Sequence, residues 1–380
     1  MLSASRRGFL RKTLGAAWTT GALLEQSVFR AAAARAQSRS APGGLFILEK
    51  MASGVTGALS LPAAQTNCNA VIFELAESLL VVDSHSKPSA AASLIAQIRK
   101  ELSPKPVAYL VNSHFHWDHT QGNLSYRKSF PHVRVIASDT TRHLLTELAA
   151  GRLKDSLDSA AKSLQTYREN LGKSKNPAEL GYWQRMVSDT EAFLKEMRDY
   201  TPDLPDLTVR GDLILHDKAQ ELQVVFRGRG HTAGDVSVWS PSRKAIATGD
   251  LAHGSLPFMG DGYPKDWPNT LTGIGLLEFD KQLGGHGGVL NGRERLDQMR
   301  TYIEELGFRV EAGARQGKPL DQLVKELTPA TLKSLAGYAA ALIATAEAAP
   351  LKSPTFRGED WLAAGVRNNV AQVFSTLGKS

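Results

Sequence analysis

His114-Phe115-His116-Trp117-Asp118-His119 places four metal-donor side chains within six residues. Imidazole and carboxylate are good zinc donors, and a loop can point several of them inward at once. A single histidine at a strand end is more often a hydrogen-bonded surface or core residue than a ligand. Three histidines and an aspartate at this density read differently. The chain has ten histidines in 380 residues, and crowding their charge has no structural benefit without a metal. Gly122 follows closely and would let the backbone turn tightly beneath the loop. Three further donors lie downstream: His231 in Gly230-His231-Thr232, Asp250 after Thr248-Gly249, and His286 in Gly284-Gly285-His286-Gly287-Gly288. Each sits beside glycine, where the backbone can approach a metal closely. Taken singly, each of these three is a weak signal.

The elements that must position these residues can be read from periodicity. Phe46 to Leu48, Ala70 to Glu74, Leu79 to Asp83, Val107 to Val111 and Val133 to Ala137 read as strands. So do Leu213 to Leu215, Leu222 to Arg227, Val236 to Trp239 and Ala245 to Ala247. Ala90 to Leu102 is an amphipathic helix between two of them. Over residues 139–200 the alternation stops. Leu157, Ala161, Leu164, Tyr167 and Leu171 mark one helix face. Trp183, Val187, Thr190, Leu194 and Met197 mark a second, after the helix start Asn176-Pro177. Together they predict a helical hairpin inserted into an α/β core. Residues 293–380 are helical again, with Leu296, Met299, Ile303, Leu306 and Val310 on one helix and Leu332 to Ala348 forming another. The chain suits one α/β core with additions.

His114-x-His116-x-Asp118-His119, followed in order by His231, Asp250 and His286, resembles the signature of the metallo-β-lactamase superfamily. The likeness runs over roughly Leu45 to Leu290, excluding the hairpin. It implies a four-layer αββα sandwich, here with a helical insert at 139–205 and a helical C-terminal extension at 293–380 beyond a domain of residues 37–292. It implies two metal ions, zinc in the first instance, with iron or manganese as other occupants. His114, His116 and His231 would hold the first and Asp118, His119 and His286 the second, with Asp250 bridging. A hydroxide between the ions would be the nucleophile, and Asp118 would orient it. Asp83, after Val81-Val82, resembles an aspartate of the family that supports the site by hydrogen bonding.

The resemblance fixes the site better than the substrate. True β-lactamases of the superfamily usually carry Cys or Ser where this chain has Asp250. An aspartate there resembles glyoxalase II, lactonases and related hydrolases. The leading expectation is therefore a dinuclear hydrolase of a small ester, lactone, thioester or amide. An iron-dependent sulfur dioxygenase of the same fold is one alternative, and a β-lactam hydrolase another. Flavodiiron reductases are disfavoured, because they place a carboxylate at the position of His116. His253 and His85 lie near the donors in sequence. A backbone-satisfied loop residue is the better reading of His253, and His132, His143 and His216 read as solvent-facing. Tyr263 and Trp267 read as packing residues.

The outer parts of the chain suggest where it works. Arg6-Arg7, Phe9-Leu10, a moderately apolar run from Leu14 to Phe29 and Ala34-Arg35-Ala36 resemble a twin-arginine signal peptide over residues 1–36. The run is too polar for a good transmembrane span. The expected location is periplasmic or secreted. Six basic residues against one acid give this segment +5 of the formal net charge of +7. The near-neutral remainder argues against a nucleic-acid partner. A small-molecule substrate is expected, with a homodimer contact open. Cys68 is the single cysteine, so it makes no intrachain disulfide and reads as a small buried residue.

Overall fold

The computed structural model describes residues 45–61, 68–347, 353 and 355–377. The twin-arginine segment lies outside the described residues. Thirteen strands among the described residues form two sheets. The first has seven strands in chain order: β1 (Phe46–Ala52), β2 (Val55–Ser60), β3 (Ala70–Glu74), β4 (Leu79–Val82), β5 (Val107–Val111), β6 (Arg134–Ser138) and β7 (Leu207–Val209). The second holds β8 (Leu213–Leu215), β9 (Leu222–Val225), β10 (Ser237–Ser240), β11 (Ala245–Gly249), β12 (Lys281–Gly284) and β13 (Leu290–Asn291), ordered β13-β12-β11-β10-β9-β8.

Three core clusters correspond to the three interfaces of an αββα sandwich. On β4, Leu80 and Val82 point into the cluster between the sheets, while Leu79 and Val81 point out to helices. On β11, Ala245 and Ala247 point between the sheets, and Ile246 points to the other helical layer. Both faces of these strands are covered. That is why their sequences read as unbroken apolar runs rather than as alternation. Helix α1 (Pro88–Gln97) covers the first sheet through Ala90, Ala91, Leu94 and Ile95. It runs on through a π-turn at Ile98–Leu102. Two short helices follow β5, α2 (Trp117–Thr120) and α3 (Asn123–Ser129).

The hairpin leaves the first sheet between β6 and β7. It consists of α4 (Asp139–Lys173) and α5 (Pro177–Met197). Ser138 caps α4 by accepting a hydrogen bond from Thr141 N, with Asp139 in the first turn. The buried stripe differs in detail from the expected one. Met186 and Phe193 are buried in place of Val187 and Leu194, and Ala161 faces solvent. Leu153, Phe193 and Met197 make a small core of their own.

Helices α6 (Trp267–Gly275), α7 (Glu294–Arg315), α8 (Leu320–Glu326), α9 (Ala339–Glu347) and α10 (Gly358–Thr376) cover the second sheet or pack on the helices that do. One expectation needs correction here. Leu332 to Ala348 is not one helix, because a short 3-10 turn at Lys333–Leu335 precedes α9. The intervening Ala336, Gly337 and Tyr338 let the Tyr338 ring bury in the cluster under the second sheet. Strand β2 was absent from the expected elements altogether. No helix among the described residues is long and apolar enough to cross a membrane.

Candidate metal centre

The parallel pairs decide where the donors meet. β4, β5 and β6 run parallel, so their C-terminal ends share one edge of the first sheet. β11 and β12 run parallel in the second sheet, so Gly249 lies opposite Gly284 and the chain leaves both strands on one side. Asp83 follows β4, the His114–His119 segment follows β5, Asp250 follows β11 and His286 follows β12. His231 enters from the loop between β9 and β10. All seven expected donors are buried in the folded chain.

They converge on Asp250. Its Oδ2 lies 2.9 Å from His286 Nε2, 3.5 Å from His231 Nε2 and 4.0 Å from His114 Nε2. Its Oδ1 lies 3.6 Å from His119 Nε2. Asp118 Oδ2 is 3.5 Å from His119 Nε2 and 3.6 Å from His286 Nε2. His116 presents Nδ1 at 2.9 Å from His231 Nε2. His114, His116 and His231 form one group of mutually close donor atoms, Asp118, His119 and His286 a second, and His114, His119 and Asp250 a third that overlaps both.

Whether such a cluster suits metal can be tested on its own atoms. Nε2 of His114, Nε2 of His119 and Oδ1 of Asp250 are buried without a hydrogen-bond partner. Buried polar atoms are otherwise nearly always paired. Burial, joined by His119, His116 and His231, holds His114 well below the ordinary imidazole range. Burial and His116 do the same to His231. Both are therefore neutral, the form that offers a lone pair to a metal. Burial would also lower His119, but Asp118, Asp250 and Asp83 outweigh it and push this imidazole well above its usual value. The cluster is short of positive charge. Gly285 keeps its interior open, because a Cβ at that position would press on Asp250 Oδ1 and His119 Cε1. These residues fit a cationic metal group.

The outer nitrogens of the rings are held by partners. His119 Nδ1 donates to Asp83 Oδ2 at 2.8 Å. Asp83 also accepts from Ser113 N and Ser113 Oγ, both at 2.8 Å. Ser113 Oγ lies 3.0 Å from His114 Nδ1. Asp83 reaches these partners from the left-handed region, at φ 66°, a conformation that aspartate tolerates better than most residues. His231 Nδ1 donates to Phe258 O at 3.1 Å. His116 Nε2 lies 2.8 Å from Asp261 Oδ2.

Asp83 was visible in the sequence as a supporting residue. Ser113, Phe258, Asp261 and Arg152, which donates to both oxygens of Asp261 at 2.7 Å, were not. The sequence carried no signal for these four, since their roles depend on contacts between distant segments. Gly122 serves a different purpose from the one expected. Its backbone has no unusual φ, and a Cβ there would overlap the carbonyl oxygen of Ser84. Close approach is what demands glycine. His253 is buried and accepts from Ser255 N, and burial lowers it to about 3. His85 is buried and bonded to Cys68 O. Cys68 is fully buried, which pushes its thiol well up. His132, His143 and His216 are exposed. Trp267 is buried, and its Nε1 donates to Leu251 O.

Residues 63–286 match the metallo-beta-lactamase superfamily. The chain belongs to that superfamily. A metallo-beta-lactamase from Pontibacter korlensis shares this fold with a TM-score of 0.50 at 19% identity, over 68% of this chain and 99% of that one. Another, from Pseudomonas aeruginosa and solved in a mono-zinc form, gives a TM-score of 0.45 at 15% identity, over 68% of this chain and 95% of that one. A 58-residue stretch is 36% identical to the type 2 metallo-beta-lactamase of Elizabethkingia meningoseptica, covering 14% of this chain and 23% of that protein. The chain thus aligns with under a quarter of that curated relative. Superfamily membership supports a metal-dependent hydrolase, and superfamily members usually bind zinc. The αββα sandwich with added helices agrees with the expected fold.

Proposed function

We propose that this chain is a dinuclear metal-dependent hydrolase. His114, His116 and His231 hold one ion, Asp118, His119 and His286 hold the other, and Asp250 lies between them. The observation that carries this reading is the placement of Asp250. Its two oxygens face histidines from both three-donor groups within 4.0 Å. A carboxylate can bridge two metals in that position. Zinc ions bound there supply an activated water and an electrophilic hold on a developing oxyanion.

The side chains supply the rest. Neutral His114 and His231 give lone pairs without first losing protons. Asp83 fixes the ring of His119, and Asp118 would orient an attacking water. The substrate class proposed is a small ester, lactone, thioester or amide, because an aspartate at position 250 resembles that of glyoxalase II and lactonases rather than the Cys or Ser of true β-lactamases. The test is a panel of chromogenic esters, lactones, thioesters, phosphodiesters and β-lactams on zinc-loaded protein. Carbonyl substrates should turn over, and Asp118→Ala should remove that turnover. Cleavage of β-lactams alone would favour a β-lactam hydrolase instead, and cleavage of phosphodiesters alone would contradict the carbonyl class. One iron and no zinc per purified chain would instead favour the sulfur dioxygenase.

The chain organisation is part of the same proposal. Residues 1–36 act as a twin-arginine export signal, so the mature protein starts near Gln37 and works in the periplasm or outside the cell. Residues 37–292 form the catalytic domain with its insert at 139–205, and residues 293–380 an extension. Replacing Arg6 and Arg7 with Lys should retain the chain in the cytoplasm, and fractionation would check it.

A further inference from the structure

We propose that Asp261 is a positioning residue for His116, and that Arg152 of the helical hairpin holds Asp261 in that role. The first metal position would then depend on the insert. This rests on the donor set proposed above. His116 has two ring nitrogens with different tasks. Nδ1 faces His231 and the donor cluster at 2.9 Å, and Nε2 faces Asp261 Oδ2 at 2.8 Å. When Nε2–H donates to the carboxylate, the tautomer is fixed and Nδ1 carries its lone pair inward.

Asp261 is itself clamped. Arg152 on α4 donates from Nη1 to Oδ2 and from Nη2 to Oδ1, both at 2.7 Å. This two-armed geometry fixes the carboxylate plane as well as its position. The guanidinium also lies 4.7 Å from the Phe115 ring centroid, next to His116 in sequence. The clamp is therefore seated on the donor segment itself.

Three further hydrogen bonds join the insert and this loop to the same donor group. Phe258 O accepts from His231 Nδ1. Ser138 Oγ and Thr141 Oγ1, at the root of α4, donate to Gly234 O in the His231 loop at 2.6 and 2.9 Å. The second donor group leans elsewhere, on Asp83 of the first sheet.

The experiment is stepwise zinc binding by competition with a chromophoric chelator, on full-length wild type, Asp261→Ala, Asp261→Asn and Arg152→Met. Cobalt(II) absorption spectra supply a second readout. Asp261→Ala should weaken one of the two zinc steps by about 10–100-fold and leave the other unchanged. Asp261→Asn keeps an oxygen for His116 and should fall between wild type and Asp261→Ala. Arg152→Met should weaken the same step, and add nothing when combined with Asp261→Ala. The cobalt bands should change with that step. An unchanged second step reports a folded chain, and if Asp261→Ala does not fold, Asp261→Asn and Arg152→Met decide. Variants that match wild type in both steps, or that weaken both steps equally, would overturn the positioning role alone. A wild-type chain that binds no zinc would overturn the metal reading and this proposal with it.

Discussion

The two halves of the donor cluster are supported in different ways. The Asp118, His119 and His286 half is braced by the sheets. Asp83 leaves β4 beside the end of β5 and bonds Ser113 and His119 within 36 residues of chain. The His114, His116 and His231 half is braced on two of its rings by a loop and a helical insertion. His116 meets Asp261 across 145 residues, and Asp261 meets Arg152 across 109. A strand-end brace follows from sheet register and needs no extra element. A loop brace can be exchanged when loops and inserts change. The first half therefore rests on strand register, and two rings of the other depend on contacts from a loop and an insert.

Removing the shared residue should erase the distinction and have the largest effect. Asp250→Ala takes away the carboxylate that faces both groups. It should lower turnover of any cleaved substrate by more than about 100-fold, since even the loss of an outer partner costs about 10–100-fold. Steady-state kinetics with metal analysis would check this. Gly285→Ala follows. Its new Cβ presses on Asp250 and His119, so metal content should fall while circular dichroism remains native.

Next comes removal of the metal. Chelation should destabilise the chain by about 4 kcal/mol relative to protein held at free zinc a thousandfold above Kd. Denaturant titration measures it. An unchanged midpoint would mean that the buried donors gain nothing from a cation. Asp83→Ala should then weaken chiefly the half that contains His119, with a smaller effect reaching His114 through Ser113. It leaves Ser113 and His119 without an acceptor and should cost about 1–3 kcal/mol of stability for each buried donor stranded. Chelator competition should show the larger effect on the zinc step opposite to that altered by Asp261→Ala. The smallest effect belongs to Arg168→Ala, which breaks an exposed ion pair with Glu191 on the hairpin. It should change stability by less than about 1 kcal/mol and leave zinc binding alone.

How much of this was legible in the sequence follows the same division. The dense His114–His119 segment announced itself by composition, and Asp83 by the resemblance of Val81-Val82-Asp83 to a supporting aspartate of the superfamily. The hairpin was visible because helical periodicity needs only local sequence. Its register was less visible, because Met186 and Val187 are both apolar and packing chooses between them. Strand β2, Val55 to Ser60, escaped notice. All six of its residues are buried, so no alternation marks it, and Gly57, Ala58 and Ser60 have little strand preference. Asp261 and Arg152 had no sequence signal, because a charged pair over one hundred residues apart looks like two surface residues until the fold joins them.

The most direct measurement is the divalent metal content of the purified, zinc-reconstituted chain beside that of Asp250→Ala. The account predicts two ions per chain in the wild type and fewer in the variant. A wild-type chain that saturates at one ion, or an Asp250→Ala chain that still holds two, would contradict it.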